Sequence, residues 1–255
     1  MSPRRRVLVA GVMGLVLVTV VLVGVRVLGG GEARAGVPAQ DRPGTVVLVP
    51  GYGGSQDGLR VLAEQIRSSG REVRIVTLPG NGTGDLLAQV AVVDRDVDDA
   101  LARGAPSVDV IGYSAGGLVA RLWVAREGGE HRARRVITLG SPLHGTRLAA
   151  SGGVVVPDAC PVACQQLAPG SALLASVERA PVPVPWLSIW TENDQTVVPP
   201  DSARLEGAEN VVLQQVCPGV HIEHGELPTS ALVTQIVRNA LVQSRMTRGT
   251  EGVRC

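Results

Sequence analysis

Residues 108–122 read Val108-Asp109-Val110-Ile111-Gly112-Tyr113-Ser114-Ala115-Gly116-Gly117-Leu118-Val119-Ala120-Arg121-Leu122. An apolar run leads into Gly-x-Ser-x-Gly, and a second apolar run follows, so the segment predicts strand, sharp turn and helix. Such a turn forces its serine into a strained backbone conformation. Glycines are needed on both sides, because a Cβ there would collide with the neighbouring strand and helix. The serine hydroxyl then stands at the end of the sheet, over the positive end of a helix. Ser114 is therefore the candidate nucleophile.

The same rhythm extends in both directions. Thr45–Val49 is a short continuous apolar run, the mark of a buried parallel strand, and it ends in Pro50-Gly51-Tyr52-Gly53-Gly54. A helix is predicted from Leu59 to Ser68, a strand from Val73 to Thr77 and a long amphipathic helix from Leu86 to Arg103. Arg135–Leu139, Trp186–Thr191 and Asn210–Val216 read as later strands, and Pro228–Val242 as a final helix. Strands alternating with helices predict an α/β fold, a mostly parallel sheet with helices on both faces. Residues 147–183 break the rhythm and read as an insertion carrying two cysteines, many prolines and a short helix near Ser171–Arg179. The catalytic domain is thus expected at 44–243, between a Gly, Ala and Pro-rich linker at 29–43 and a polar tail at 244–255.

Residues 1–28 read as a targeting segment. Arg4, Arg5 and Arg6 precede an uncharged apolar run from Val7 to Val25, long enough to span a bilayer. Ala33-Arg34-Ala35 has the small-x-small form of a signal-peptidase site. A signal-anchor and a cleaved signal peptide both fit; Arg26 and the glycine linker favour the anchor, which would hold the protein to a membrane. Either way the rest of the chain is exported, or secreted if cut after Ala35.

The net charge of +1 and the absence of a long basic block exclude a nucleic-acid surface. Cys160, Cys164, Cys217 and Cys255 fit an oxidising compartment. They lack the paired ligand spacing of a zinc site, so no metal is expected, and at least one disulfide is expected among Cys160, Cys164 and Cys217. Cys255, in the tail, is expected to stay free or to pair between molecules.

A serine hydroxyl needs a base, and the base needs an orienting carboxylate. In folds that mount the serine on this turn the chain order is nucleophile, acid, histidine. Asp194 follows a strand among turn residues and is favoured as the acid over Glu192 and Asp201. Of the four histidines, His131 and His144 precede the acid. His224, just before the last helix, is favoured as the base over His221. The oxyanion needs two backbone donors. Ala115 and Tyr52 are expected to supply them. Tyr52 and Tyr113 are also candidates to line the cleft; Trp123 and Trp186 read as core.

With these residues in place the chain resembles the small secreted bacterial lipases and esterases of the α/β-hydrolase superfamily, the triacylglycerol-lipase-like group. Gly112 to Arg121 matches its nucleophile elbow, and Thr138-Leu139-Gly140-Ser141-Pro142-Leu143-His144-Gly145-Thr146 resembles its loop on the acyl side of the site. Ser188 to Pro199 resembles its acid loop, and His224-Gly225-Glu226-Leu227-Pro228 its histidine loop. One departure is the oxyanion loop, which begins Pro50-Gly51 where the family usually has His-Gly. The resemblance implies a minimal sheet of about six strands without a large lid, and hydrolysis of lipid-like acyl esters with no cofactor. Acyl transfer to cell-envelope alcohols uses the same triad, and a non-catalytic binding protein on this fold is the alternative from another class.

Overall fold

A computed structural model describes residues 36–155 and 160–255. The readings of residues 1–35 as an anchor or a cleaved signal lie outside the described residues, and among the described residues no helix is long and apolar enough to cross a membrane.

Six parallel strands form one sheet in the order β2-β1-β3-β4-β5-β6. They are β1 (Thr45–Val49), β2 (Val73–Ile75), β3 (Val108–Tyr113), β4 (Ala133–Leu139), β5 (Trp186–Trp190) and β6 (Glu209–Val212). In strands β1, β3, β4 and β5 nearly every residue is buried, as the continuous apolar runs require of a sheet covered on both faces. Alternate side chains serve two cores. Val47, Val49, Val110 and Val136 pack on one face; Val46, Leu48, Ile111 and Ile137 pack on the other.

The first face is covered by α2 (Leu86–Ala102) and α3 (Ala115–Arg126). The second is covered by α1 (Asp57–Arg67) and, at the far end of the chain, a helix over Ala231–Val242. In α1 the buried residues Leu59, Leu62, Ala63 and Ile66 recur at helical spacing and form one stripe. The Asp85 side chain caps α2 by accepting from the Leu87 amide. Beyond β1 the chain steps to β2 on one side and returns to β3 on the other, so the ends of β1 and β3 flank the switch in strand order, where open α/β sheets form their crevice.

Two elements differ from the sequence reading. Among the described residues the insertion holds α4 (Arg147–Val155) and α5 (Val162–Gln166) ahead of the expected helix, α6 (Ala172–Glu178). Gly152, Gly153, Pro157 and Pro161 obscured the first two as breakers. The stretch Asn210–Val216 is not all strand. It leaves the sheet after Val212, the partner of Trp190, the last residue of β5, and the next four residues turn into α7 (Leu213–Val216). With no neighbour left to pair, the backbone satisfies itself helically. The last helix, α8, is Ala231–Val242, with Ser230 accepting from the Val233 amide at its start.

Both pairs of cysteines are oxidised, Cys160 to Cys164 and Cys217 to Cys255. The second bridge corrects the expectation that Cys255 stays free or pairs between molecules. Residues after α8 return along it: Asn239 Nδ2 donates to the carbonyls of Gly249 (2.9 Å) and Glu251 (3.0 Å), and Gln235 bonds Arg254 through both ends of its amide. That path carries Cys255 back to α7.

Candidate active site

Ser114 sits between β3 and α3 with φ 53° and ψ −129°, and it is the non-glycine residue with positive φ among the described residues. That backbone costs about 1–3 kcal/mol and persists because the surroundings enforce it. The Ser114 amide is tied to the Leu139 carbonyl at 2.8 Å. The flanking glycines are required by space. A Cβ on Gly112 would lie 2.4 Å from Gly117 Cα, and one on Gly116 would lie 2.3 Å from the Val49 carbonyl oxygen. Either would push α3 off the sheet and move the serine.

The structure brings Ser114, His224 and Asp194 together. His224 Nε2 is 3.0 Å from Ser114 Oγ, and His224 Nδ1 is 2.7 Å from Asp194 Oδ2. Asp194 follows β5 and is 5% exposed. Its other oxygen accepts from the amides of Thr196 (2.9 Å) and Val197 (2.7 Å), which hold the carboxylate's plane toward the imidazole. With Oδ2 accepting, Nδ1 carries the proton and Nε2 is left as an acceptor for the serine hydroxyl. His224 lies in a short 3-10 turn, His224–Glu226, braced by reciprocal side-chain caps from Glu223 and Glu226. Gly140 gives the pair room, because a Cβ there would stand 3.2 Å from both Asp194 Oδ2 and His224 Nδ1.

The rival residues lie apart. The His221 side chain is 67% exposed, and its nearest carboxylate is Glu223 at 3.8 Å. Glu192 and Asp201 are exposed. His144 contacts the Arg204 carbonyl at 3.0 Å.

Ala115 is the first residue of α3, so its amide has no acceptor within the helix. Gly51 packs directly on the nucleophile: a Cβ there would be 2.8 Å from Ser114 Cβ. This close approach brings the neighbouring Tyr52 into the site, and the half-exposed Tyr52 and Ser114 line one cavity. Among the described residues neither the Tyr52 nor the Ala115 amide has a hydrogen-bond acceptor within the protein. The cavity has a volume of about 210 Å³ and is lined also by Pro142, Thr146, Leu148 and Val197.

Several supporting residues escaped the sequence reading. Tyr113, a candidate for the cleft wall, instead packs its ring 5.3 Å from the His224 ring and donates its hydroxyl to the His224 carbonyl at 3.2 Å. Burial, then the charge of Asp194, pushes the Tyr113 phenol up to about 12. Gln214, on α7, joins the acid and histidine loops. Its amide nitrogen reaches Thr191 Oγ1 (2.9 Å), Asn193 Oδ1 (2.8 Å) and the Val220 carbonyl (3.2 Å). Thr191 Oγ1 in turn donates to the Ile222 carbonyl at 2.7 Å. No local pattern marks these residues, since Tyr113 acts 111 positions away and Gln214 reaches back more than twenty to the acid loop.

Solved structures of similar fold include Aspergillus fumigatus lipase B, with a TM-score of 0.68 at 19% identity over 82% of this chain. This chain spans about half of that one, 54%. The mature form of Bacillus licheniformis lipase BlEst2 matches with a TM-score of 0.56 at 19% identity, covering 67% of this chain and 82% of that one. A structure from the work on LipS and LipT, two metagenome-derived lipolytic enzymes, matches at 0.53 and 20% identity, covering 69% of this chain and 84% of that one. These likenesses are of fold. No curated protein sequence matches the chain. The family model for palmitoyl protein thioesterase matches residues 45–176, just over half of the chain, from the first strand through the elbow and into the insertion. On that match the protein belongs to the palmitoyl protein thioesterase family, within the α/β-hydrolase superfamily.

Proposed function

We propose that the protein hydrolyses acyl esters or thioesters through an acyl-enzyme on Ser114. The observation that carries this reading is the continuous relay from Asp194 through His224 to a strained serine at the mouth of an apolar cavity. His224 Nε2 takes the Ser114 proton as Oγ bonds to the acyl carbon. Asp194 holds the imidazole in the required tautomer and balances its charge. The negative oxygen that develops is met by the amides of Ala115 and Tyr52. Collapse breaks the bond to the leaving alcohol or thiol, which takes the proton from His224. Water then repeats the sequence, its proton passing to His224 and its oxygen to the acyl carbon, and Ser114 is released. No cofactor enters these steps. The two disulfides support a site of action outside the cytoplasm, with residues 1–28 as the export or anchoring segment.

The test is labelling by a fluorophosphonate, with the modified peptide sequenced, beside turnover of a p-nitrophenyl ester panel. Modification confined to Ser114, with release of free acid, is expected. Absence of labelling would return the chain to the binding-protein class, and acyl appearing on an added alcohol instead of in free acid would make it a transferase.

A further inference from the structure

The cavity beside Ser114 limits what it can hold. Its volume is about 210 Å³. A closed apolar cavity of about 150 Å³ accepts benzene, which has six carbons, so by proportion this cleft, open on one side, seats about eight within its walls. Pro142, Leu148, Ala149, Leu167 and Val197 give it an apolar lining, and no charged side chain is among its described walls. Thr146 uses its hydroxyl elsewhere, donating to the Thr196 carbonyl (2.8 Å) and accepting from the Val198 amide (3.0 Å). An alkyl chain therefore fits this lining, which offers only the hydroxyls of Tyr52 and Thr196 besides Ser114 as free polar partners and no charge for a charged head group.

The walls are also tied in place. The Thr146 amide donates to the Leu167 carbonyl at 2.9 Å, and the Arg147 amide to the Val198 carbonyl at 2.8 Å. The Cys160–Cys164 disulfide closes the turn that leads into α5, and both sulfurs lie 3.9 Å from the Ala149 carbonyl oxygen. Cys164 and Ala149 both face the cavity. The bridge stiffens the first turn of α5, and its sulfurs pack on the α4 backbone at Ala149, so this wall has little freedom to recede before a longer chain.

We infer that the site selects acyl chains of about eight carbons, and that the wall of Ala149, Cys164 and Leu167 ends the chain. The inference rests on the hydrolase reading of Ser114. Each methylene that enters the cavity raises kcat/KM about fourfold. A methylene left outside adds little, so a palmitoyl chain would keep roughly half its length out of the cavity.

The test is kcat/KM across p-nitrophenyl esters of two to sixteen carbons, each below its micelle concentration, together with inactivation rates for alkyl fluorophosphonates of the same lengths. Both series should peak near eight carbons and gain nothing from twelve to sixteen. Ala149→Phe fills the cavity. Leu148→Trp narrows it from an exposed position, where folding is not at stake. Each should move the peak to about four carbons and lower the octanoyl-to-butanoyl ratio about tenfold. A rise that continues to sixteen carbons, or variants that leave the ratio unchanged, would overturn the chain-length inference and leave the hydrolase reading standing. Failure of every fluorophosphonate to modify Ser114 would overturn that reading, and the inference with it.

Discussion

At one end of β3 and β4 stand Ser114 and the loop that begins at Gly140; at the other end Asp109 meets Arg71, Arg134 and Arg135. Asp109 is fully buried. Its oxygens lie 2.8 Å from Arg134 Nε, 2.5 Å from Arg134 Nη2 and 2.6 Å from Arg71 Nη2. Three guanidinium groups share one carboxylate, and the excess positive charge is aimed at the last carbonyls of α8. Arg134 reaches that of Leu241 at 2.9 Å, and Arg135 reaches those of Ala240 and, at 2.9 Å, Gln243. Burial and the neighbouring Arg134 still pull the Arg135 guanidinium down to about 10. This end binds a helix to the sheet through one buried carboxylate and the carbonyls at the end of α8. The other end carries no net cationic cluster; it stores strain at Ser114 and turns its polar atoms toward a cavity. The same two strands thus hold a buried charge network at one end and the candidate site at the other, and substitutions should separate the two.

The largest separation is expected at the serine. Ser114→Ala should lower kcat by about 10⁴-fold or more with the denaturation midpoint unchanged or raised, since the strained position loses no packing partner. His224→Ala should cost about a thousandfold in kcat against little for His221→Ala, measured on one ester under identical conditions. Equal losses at the two histidines would dissolve the assigned relay.

At the opposite end, Asp109→Ala strands two buried cations, Arg134 and Arg135, beside the partly exposed Arg71. Unfolding in urea should show a loss of about 3–5 kcal/mol, while kcat/KM per folded molecule stays near that of the parent. A large loss of kcat with stability intact would mean that the two ends are not independent.

The Cys217–Cys255 bridge lies between these extremes, because it closes a separation of 38 residues around α8 and the histidine loop. The paired Cys217→Ser, Cys255→Ser variant should lose about 2–4 kcal/mol, read by thermal unfolding under non-reducing conditions. Unchanged stability would show that the C-terminal segment is held by its hydrogen bonds to Asn239 and Gln235 alone.

The smallest effect should come from Tyr113→Phe. It removes one hydrogen bond to the His224 carbonyl and keeps the ring contact, so kcat should fall by less than about tenfold with KM steady. A loss as large as that of His224→Ala would give the phenol a direct part in the chemistry.

Much of this was legible beforehand for reasons that can be named. Gly112 and Gly116 announce the elbow because the collisions they avoid lie within a few residues or one strand away. The α1 stripe and the buried runs of β1 and β3 show their periods directly. The helix Ala172–Glu178 was legible in the insertion, but the two before it were not, because glycine and proline mask a helical period. Arg134 and Arg135, part of a short arginine run, gave no hint of burial: they meet Asp109, 25 positions before Arg134, and the end of α8, more than a hundred positions away.

By itself, then, the sequence determined the alternating α/β order, the serine's turn and the order in which serine, acid and histidine follow one another. Each of these is a local matter of sterics, periodicity or succession along the chain. Tertiary structure alone decided that Tyr113 holds His224 across 111 positions, that Gln214 joins two loops, that Cys255 pairs with Cys217, and that about 210 Å³ stands open beside Ser114. These are distances between remote segments, and they exist only after the packing of two cores has fixed where each strand ends.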